Sequence, residues 1–240
     1  MPFSIDKLLK ARGFKAIRKQ STFDFIKAKD QDLFYFLLKS YYFRRVLRDV
    51  LFIKKISVAD KNLLKEKWEK VADEYIAKIE ELGILRKKNG LLIAQFSLSD
   101  MGTIFEWFIA KYLSEELSLE TMVDVKLKNL EFGGDIDVVA RVGTKLIMIE
   151  CKESPPNNIS VGELKSILDR VNYLKPDGFI LLIDTTLSIK RNILDNIKWI
   201  LQDEPQRCRE GVFRVKDNYY IVTAKRNILQ NLAVAINLVA

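Results

Sequence analysis

Two apolar runs separated by a two-residue turn constrain this chain more than any other feature. They are Ile136-Asp137-Val138-Val139-Ala140-Arg141-Val142 and Lys145-Leu146-Ile147-Met148-Ile149-Glu150-Cys151-Lys152, joined at Gly143-Thr144. Both are rich in β-branched residues and too short for buried helices, so they read as paired strands. If the turn has two or four loop residues, paired positions sum to 287. Asp137 then lies opposite Glu150, and Asp135 opposite Lys152. Opposed positions have Cβ atoms about 5 Å apart, near enough for two carboxylates to share a cation. Alternation puts Glu150 and Lys152 on the face of Leu146 and Met148, with Ile147, Ile149 and Cys151 behind. Charged groups on otherwise apolar strands are costly unless they function, so this pair of strands is the candidate active centre.

The absence of histidine narrows the chemistry. It removes serine–histidine and cysteine–histidine nucleophiles, histidine bases, and every metal site that needs an imidazole. The two cysteines, Cys151 and Cys208, cannot form a four-thiolate centre or a disulfide framework. Cys151 has no base to activate it, and Cys208 between Arg207 and Arg209 is read as incidental. Catalysis must come from carboxylates, lysine, tyrosine, backbone dipoles or a metal held by oxygen atoms. Hard oxygen donors suit Mg²⁺, with Mn²⁺ as its substitute.

Around this centre the pattern is α/β. A helix from about 101 to 117 follows the capping run Ser97-Leu98-Ser99-Asp100. Strands are expected at about 121–130, 135–142, 145–152 and 179–184, with a pair near 211–223. Helices are expected around 160–174, 188–201 and 225–237. That order predicts a mixed sheet flanked by helices.

Asp137, twelve intervening residues and Glu150-Cys151-Lys152, set in Gly-Asp-Ile-Asp-Val-Val-Ala and Ile-Glu-Cys-Lys, resemble the PD-(D/E)xK nuclease superfamily. The nearest branches are archaeal Holliday-junction resolvases and modification-dependent restriction endonucleases. The likeness spans roughly residues 101 to 184. It implies a restriction-endonuclease-like fold and hydrolysis of DNA phosphodiester bonds, with Asp137, Glu150 and Lys152 as catalytic residues. One or two Mg²⁺ ions would be held by Asp137, Glu150 and the main-chain carbonyl of Cys151. In these families a glutamate on the preceding helix often adds a ligand, which makes Glu106 the corresponding residue; an ordinary exposed helical glutamate is the other reading. Asp135 is either a ligand or a partner for Lys152, and Lys165 corresponds loosely to an accessory residue on the following helix. The proline of the family's nominal proline-aspartate pair is replaced here by Ile136. Relatives that cut two strands dimerise, so the resemblance also implies a homodimer.

The charge is placed unevenly. Residues 1–100 carry 22 Lys and Arg against 13 Asp and Glu, whereas residues 101–240 carry 18 against 19. The first part, +9 of a total of +8, suggests a polyanion-binding region over residues 1–98 attached to a nuclease-like domain over 99–240. A solvated lysine-rich surface is the alternative. Residues 1–60 read as helices, with Phe23 and Phe25 among their apolar positions. Leu64, Trp68, Val71, Tyr75, Ile79 and Leu82 predict one helix from Asp60 to Leu82. Asn89-Gly90, between apolar runs, then predicts a tight hairpin. Helix followed by basic-tipped hairpin is the order of a winged helix. Lys61, Lys65, Arg86, Lys87 and Lys88 are therefore the candidate nucleic-acid contacts.

No run of about 18 uncharged apolar residues occurs, and the N-terminal residues lack a secretion signal's apolar core. A cytoplasmic protein without membrane contact is expected. Besides a metal-dependent DNA endonuclease, two readings stay open: a DNA-binding regulator with a catalytically silent nuclease fold, and an RNA-directed nuclease.

Overall fold

In the computed structural model, residues 4–18, 26–128 and 135–240 are described. Phe23, Phe25, Gly133, Gly134 and the last two residues of the expected strand 121–130 lie outside them. The chain runs α1 (Ile5–Ala11), β1 (Ala16–Arg18), α2 (Gln31–Leu38), α3 (Tyr41–Ile53), β2 (Lys55–Ile56), α4 (Val58–Trp68), α5 (Lys70–Glu81), β3 (Leu85–Lys88) and β4 (Leu91–Ala94). It continues α6 (Asp100–Glu115), β5 (Glu120–Leu127), β6 (Ile136–Val142), β7 (Lys145–Lys152), α7 (Val161–Leu174), β8 (Gly178–Ile183), α8 (Asp195–Leu201), β9 (Gln206–Arg209), β10 (Val212–Lys216), β11 (Tyr219–Thr223) and α9 (Ile228–Val239).

Two units emerge: residues 22–104, and residues 105–240 together with 1–21. The expected division near 98 therefore needs correction, because the first residues belong with the second unit. The reason is an uncovered sheet edge. β1 pairs antiparallel with β5, Ala16 opposite Leu127, while Ile5, Leu8 and Leu9 of α1 are buried in the same core as Val125, Leu127 and Ile136. Arg12 of this segment also holds Asp177 at 2.5 Å.

The larger unit is a mixed α/β fold, with one sheet in the order β1-β5-β6-β7-β8-β11-β10-β9 flanked by helices. β7, β8 and β11 are mutually parallel, and the remaining pairs are antiparallel. β8 is buried at every position, as its unbroken Gly-Phe-Ile-Leu-Leu-Ile composition requires for a strand covered on both faces. One face carries Val139, Met148, Phe179 and Leu181 against Leu164, Ile167, Leu168 and Val171 of α7. α9 packs on β8, β10 and β11. The edge strands β1 and β9 escape sequence reading because short, charged segments carry little periodicity.

The smaller unit holds α2–α5 and a three-stranded sheet in the order β2-β4-β3. Asn89 and Gly90 have φ of 52° and 76°, the conformation expected of an Asn-Gly turn in a two-residue hairpin. The helix expected over Asp60–Leu82 is two helices, broken at Glu69 with φ 51°. The first of them starts at Val58, two residues before Asp60, with Ser57 as its N-cap. The Asp60 amide donates to Ser57 Oγ and the Ser57 amide donates to Asp60 Oδ2, a reciprocal capping box. The break lets α4 and α5 pack separately against α3, with Leu64 buried on one and Ala72, Ile76 and Ile79 on the other. Among the described residues no helix is long and apolar enough to cross a membrane.

The close approach of α9 to β8 is testable. A Cβ on Gly178 would come within 2.4 Å of Val239 Cγ1. Gly178→Ala should therefore cost roughly 1–3 kcal/mol, and adding Val239→Ala should recover part of that loss; chemical denaturation of the three variants measures both.

Candidate active site

The β6–β7 hairpin places the carboxylates. Val138 pairs with Ile149, Val139 with Met148 and Val142 with Lys145, so paired positions sum to 287, and Asp137 and Glu150 are the residues that follow where this ladder ends. A two-residue turn with Gly143 at φ 59° sets that register. Asp137 Oδ2 accepts a 2.7 Å hydrogen bond from the Cys151 amide, which ties it across to β7.

Glu150 is 4% exposed, and two cations hold it. Arg170 Nη2 lies 2.5 Å from Oε2 and Lys152 Nζ lies 3.0 Å from Oε1. Lys152 reaches Glu163 Oε1 as well, at 2.9 Å. Glu163 and Arg170 are both on α7, seven residues or two turns apart, so one helix face supplies both partners. The sequence reading missed these two residues. Their i, i+7 spacing was visible, but which face of α7 meets β7 is a matter of packing. Lys165, the residue singled out on that helix, is exposed. The Asp135 carboxylate stands 3.6 Å from Lys126 on β5.

Glu106, half-buried on α6, faces the same centre. Its pKa is pushed up to about 8 by burial and then by the negative charges of Asp137, Asp124 and Glu150. Asp137 is pushed up to about 7, by burial first and Glu150 second, against the Cys151 amide and the cations Lys152 and Arg170. For Lys152, burial works to lower the pKa, but Glu150 and Glu163 outweigh it and the ammonium is held above its ordinary range. The Cys151 thiol is driven well up by burial and the surrounding carboxylates, so it stays protonated and is no nucleophile.

Glu150 pushes up the pKa of Asp137, and both push up that of Glu106, so the three form a set of hard oxygen donors whose repulsion a divalent cation would relieve; these residues fit Mg²⁺ or Mn²⁺ by chemistry. Among the described residues, no three acidic or thiol side chains yet converge closely enough to enclose one. Glu150 is engaged by Arg170 and Lys152.

In the smaller unit, Arg86, Lys87 and Lys88 are all exposed along β3, beside the Asn89-Gly90 turn. Lys65 on α4 is exposed and lies 2.9 Å from Asp73, while Lys61 is half-buried.

No family model matches the sequence, and no curated protein does. Solved structures do match in fold. Protein VC1899 from Vibrio cholerae superposes with a TM-score of 0.61 at 12% identity, covering 100% of this chain and 63% of its own. Can2 from Sulfobacillus thermosulfidooxidans, solved in complex with cyclic tetra-adenylate, gives 0.54 at 15% identity, covering 99% of this chain and 61% of its own. This chain thus spans less than two thirds of either protein. At such identities the likeness speaks to fold alone, a mixed sheet flanked by helices.

Two measurements probe the electrostatics. Without divalent cation, folded Asp137 and Glu106 retain protons that the unfolded chain, with carboxylate pKa values near 4, releases. The folded state binds more protons between about pH 4 and pH 8, so stability should fall as pH rises through that window. Asp137→Asn and Glu106→Gln should each flatten the fall, and thermal unfolding from pH 5 to 9 checks it. Separately, Arg170→Ala leaves a buried carboxylate short of a partner and should cost about 3 kcal/mol. Lys165→Ala should stay within about 0.5 kcal/mol; equal losses in denaturant titrations would refute the distinction.

Proposed function

We propose that this chain is a divalent-metal-dependent nuclease that hydrolyses phosphodiester bonds of nucleic acid, with DNA as its substrate. One observation carries the reading: where the β6–β7 ladder ends at Val138 and Ile149, the next residues, Asp137 and Glu150, lie close enough for Glu150 to raise the Asp137 pKa, and Lys152 reaches Glu150 at 3.0 Å. The charges sit on strands otherwise built from buried apolar residues, a cost that a purely structural hairpin would avoid. Can2, a protein solved holding cyclic tetra-adenylate, is compatible with nucleotide chemistry on this fold.

Asp137, Glu150 and Glu106, with the Cys151 main-chain carbonyl, are the groups that would hold Mg²⁺ or Mn²⁺; when bound, such a cation polarises the phosphate and lowers the pKa of water. Lys152 remains an ammonium at neutral pH and supplies positive charge to the phosphate oxygens as the phosphorane forms. Glu150 and Glu163 clamp that ammonium from two sides, which fixes where the charge is delivered. Arg170 anchors Glu150 from behind. Residues 22–104 act as the grip. From α3 onward, their helix–strand–helix–helix–hairpin order and β2-β4-β3 sheet support a winged-helix reading, in which the basic hairpin would touch phosphates.

Cleavage assays with Mg²⁺ or Mn²⁺ over linear duplex, branched and single-stranded DNA, and RNA, test the activity. No hydrolysis of any of them would overturn it, and a preference for RNA would correct the substrate. Asp137→Ala should abolish cleavage and weaken Mn²⁺ binding by calorimetry. Lys152→Ala should lose cleavage while keeping DNA affinity within a few-fold, since it acts on the transition state. Replacing Arg86, Lys87 and Lys88 together by Ala should weaken binding to every DNA sequence. It should also flatten the salt dependence by about one to three units, near one per lost phosphate contact, leaving Mn²⁺ affinity unchanged.

A further inference from the structure

Lys152, Ile183 and Thr223 stand level across β7, β8 and β11, at the carboxyl ends of the parallel strands. The loops beyond them are stitched together, with the Asp184 amide donating to the Lys152 carbonyl and the Ala224 amide donating to the Thr185 carbonyl. Thr223 lines a cavity of about 280 Å³. At the ~4.8 Å spacing of strands, that wall is about 10 Å from Lys152, two strands along the same end of the sheet. Crevices outside the carboxyl ends of parallel strands are where open α/β sheets take their ligands.

The walls have two characters. Ile189, Leu194 and the ring of Phe213 are apolar, whereas Lys190, Arg207 and Lys225 are cationic. Lys198 also lines the cavity but is neutralised by an ion pair with Glu204, and Asp195 is the other acidic residue. Positive charge is in excess, so an anion is favoured, while the apolar wall calls for a flat or greasy group beside the charge. One side is a single turn of π-helix at Lys190–Leu194, a rare form that recurs at functional sites. Trp199, 67% exposed, lines an adjoining hollow that shares Asp195, Lys198 and Glu204, and offers a face for base stacking.

We propose that this cavity is a nucleotide subsite: it takes one nucleotide of the substrate strand, base against Ile189, Leu194 and Phe213, phosphate toward Lys190, Arg207 and Lys225. The subsite rests on the nuclease reading for its place on the strand, since it lies a short distance from the scissile centre. It depends on none of the catalytic carboxylates.

The test measures binding by the full chain without divalent cation, by calorimetry and Trp199 fluorescence. The probes are deoxyadenosine 5′-monophosphate, deoxyadenosine, inorganic phosphate and a single-stranded decadeoxynucleotide. The monophosphate should bind saturably, at least about tenfold tighter than nucleoside or phosphate alone, because each half supplies separate contacts. Arg207→Ala/Lys225→Ala, both at solvent-accessible positions and expected to melt as wild type, should weaken the monophosphate and the decanucleotide about tenfold or more. Asp137→Ala should bind the monophosphate as wild type does. Absent saturation, or undiminished binding by the double variant, overturns the subsite. A double variant that loses the monophosphate but keeps the decanucleotide overturns its assignment to the strand and leaves a free nucleotide as the ligand. A chain that binds both probes yet cleaves no nucleic acid keeps the subsite and removes only the hydrolytic reading.

Discussion

A carboxylate buried in a sheet must be neutralised, and Glu150 is the one on which this fold turns. At 4% exposure it cannot be hydrated, so its charge is met by Arg170 on one oxygen and Lys152 on the other. That requirement orients α7: the helix must present Arg170 to β7, and Glu163, two turns away, then meets Lys152. The apolar residues between them, Leu164, Ile167 and Leu168, cover the sheet beside the charges. Packing and electrostatics thus select the same helix face. Replacing such a buried pair by apolar groups often costs a protein nothing in stability, so the expense here is understood through chemistry and not through folding.

The neighbouring acids carry the opposite imbalance. Asp137 and Glu106 face Glu150 and each other with too little positive charge nearby, and both are held toward their protonated forms. One end of the centre is therefore closed by arginine and lysine, while the other is a set of carboxylate oxygens. This asymmetry is what a metal-dependent hydrolase needs: an ammonium for developing charge on one side, and oxygen ligands on the other. The carboxyl ends of β7, β8 and β11 extend this edge toward the basic, partly apolar cavity, so the proposed active centre and the proposed subsite lie along one rim of the sheet.

Much of this was legible in the amino-acid sequence because it depends on local periodicity. The 287 register follows from a two-residue turn and strand alternation, and it brings Asp137 to Glu150 before any tertiary contact is known. The Asn89-Gly90 hairpin and the helices at 100–115 and 161–174 follow from caps, turns and spacing in the same way. These features are decided by neighbours within a few residues, where backbone sterics and hydrogen bonding dominate.

What required the tertiary structure is everything decided between distant segments. The membership of residues 4–18 in the larger unit depends on the exposed edge of β5, which no local pattern announces. The break at Glu69 depends on α4 and α5 each finding its own seat on α3, a gain that outweighs the continuous helix suggested by spacing. The choice of Arg170 and Glu163 over Lys165 depends on which face of α7 the sheet buries. Sequence alone determined which residues could carry the chemistry, since strand pairing and turn geometry are short-range. Tertiary packing decided which charges compensate them, because burial and Coulomb energy depend on what the rest of the chain places beside each group.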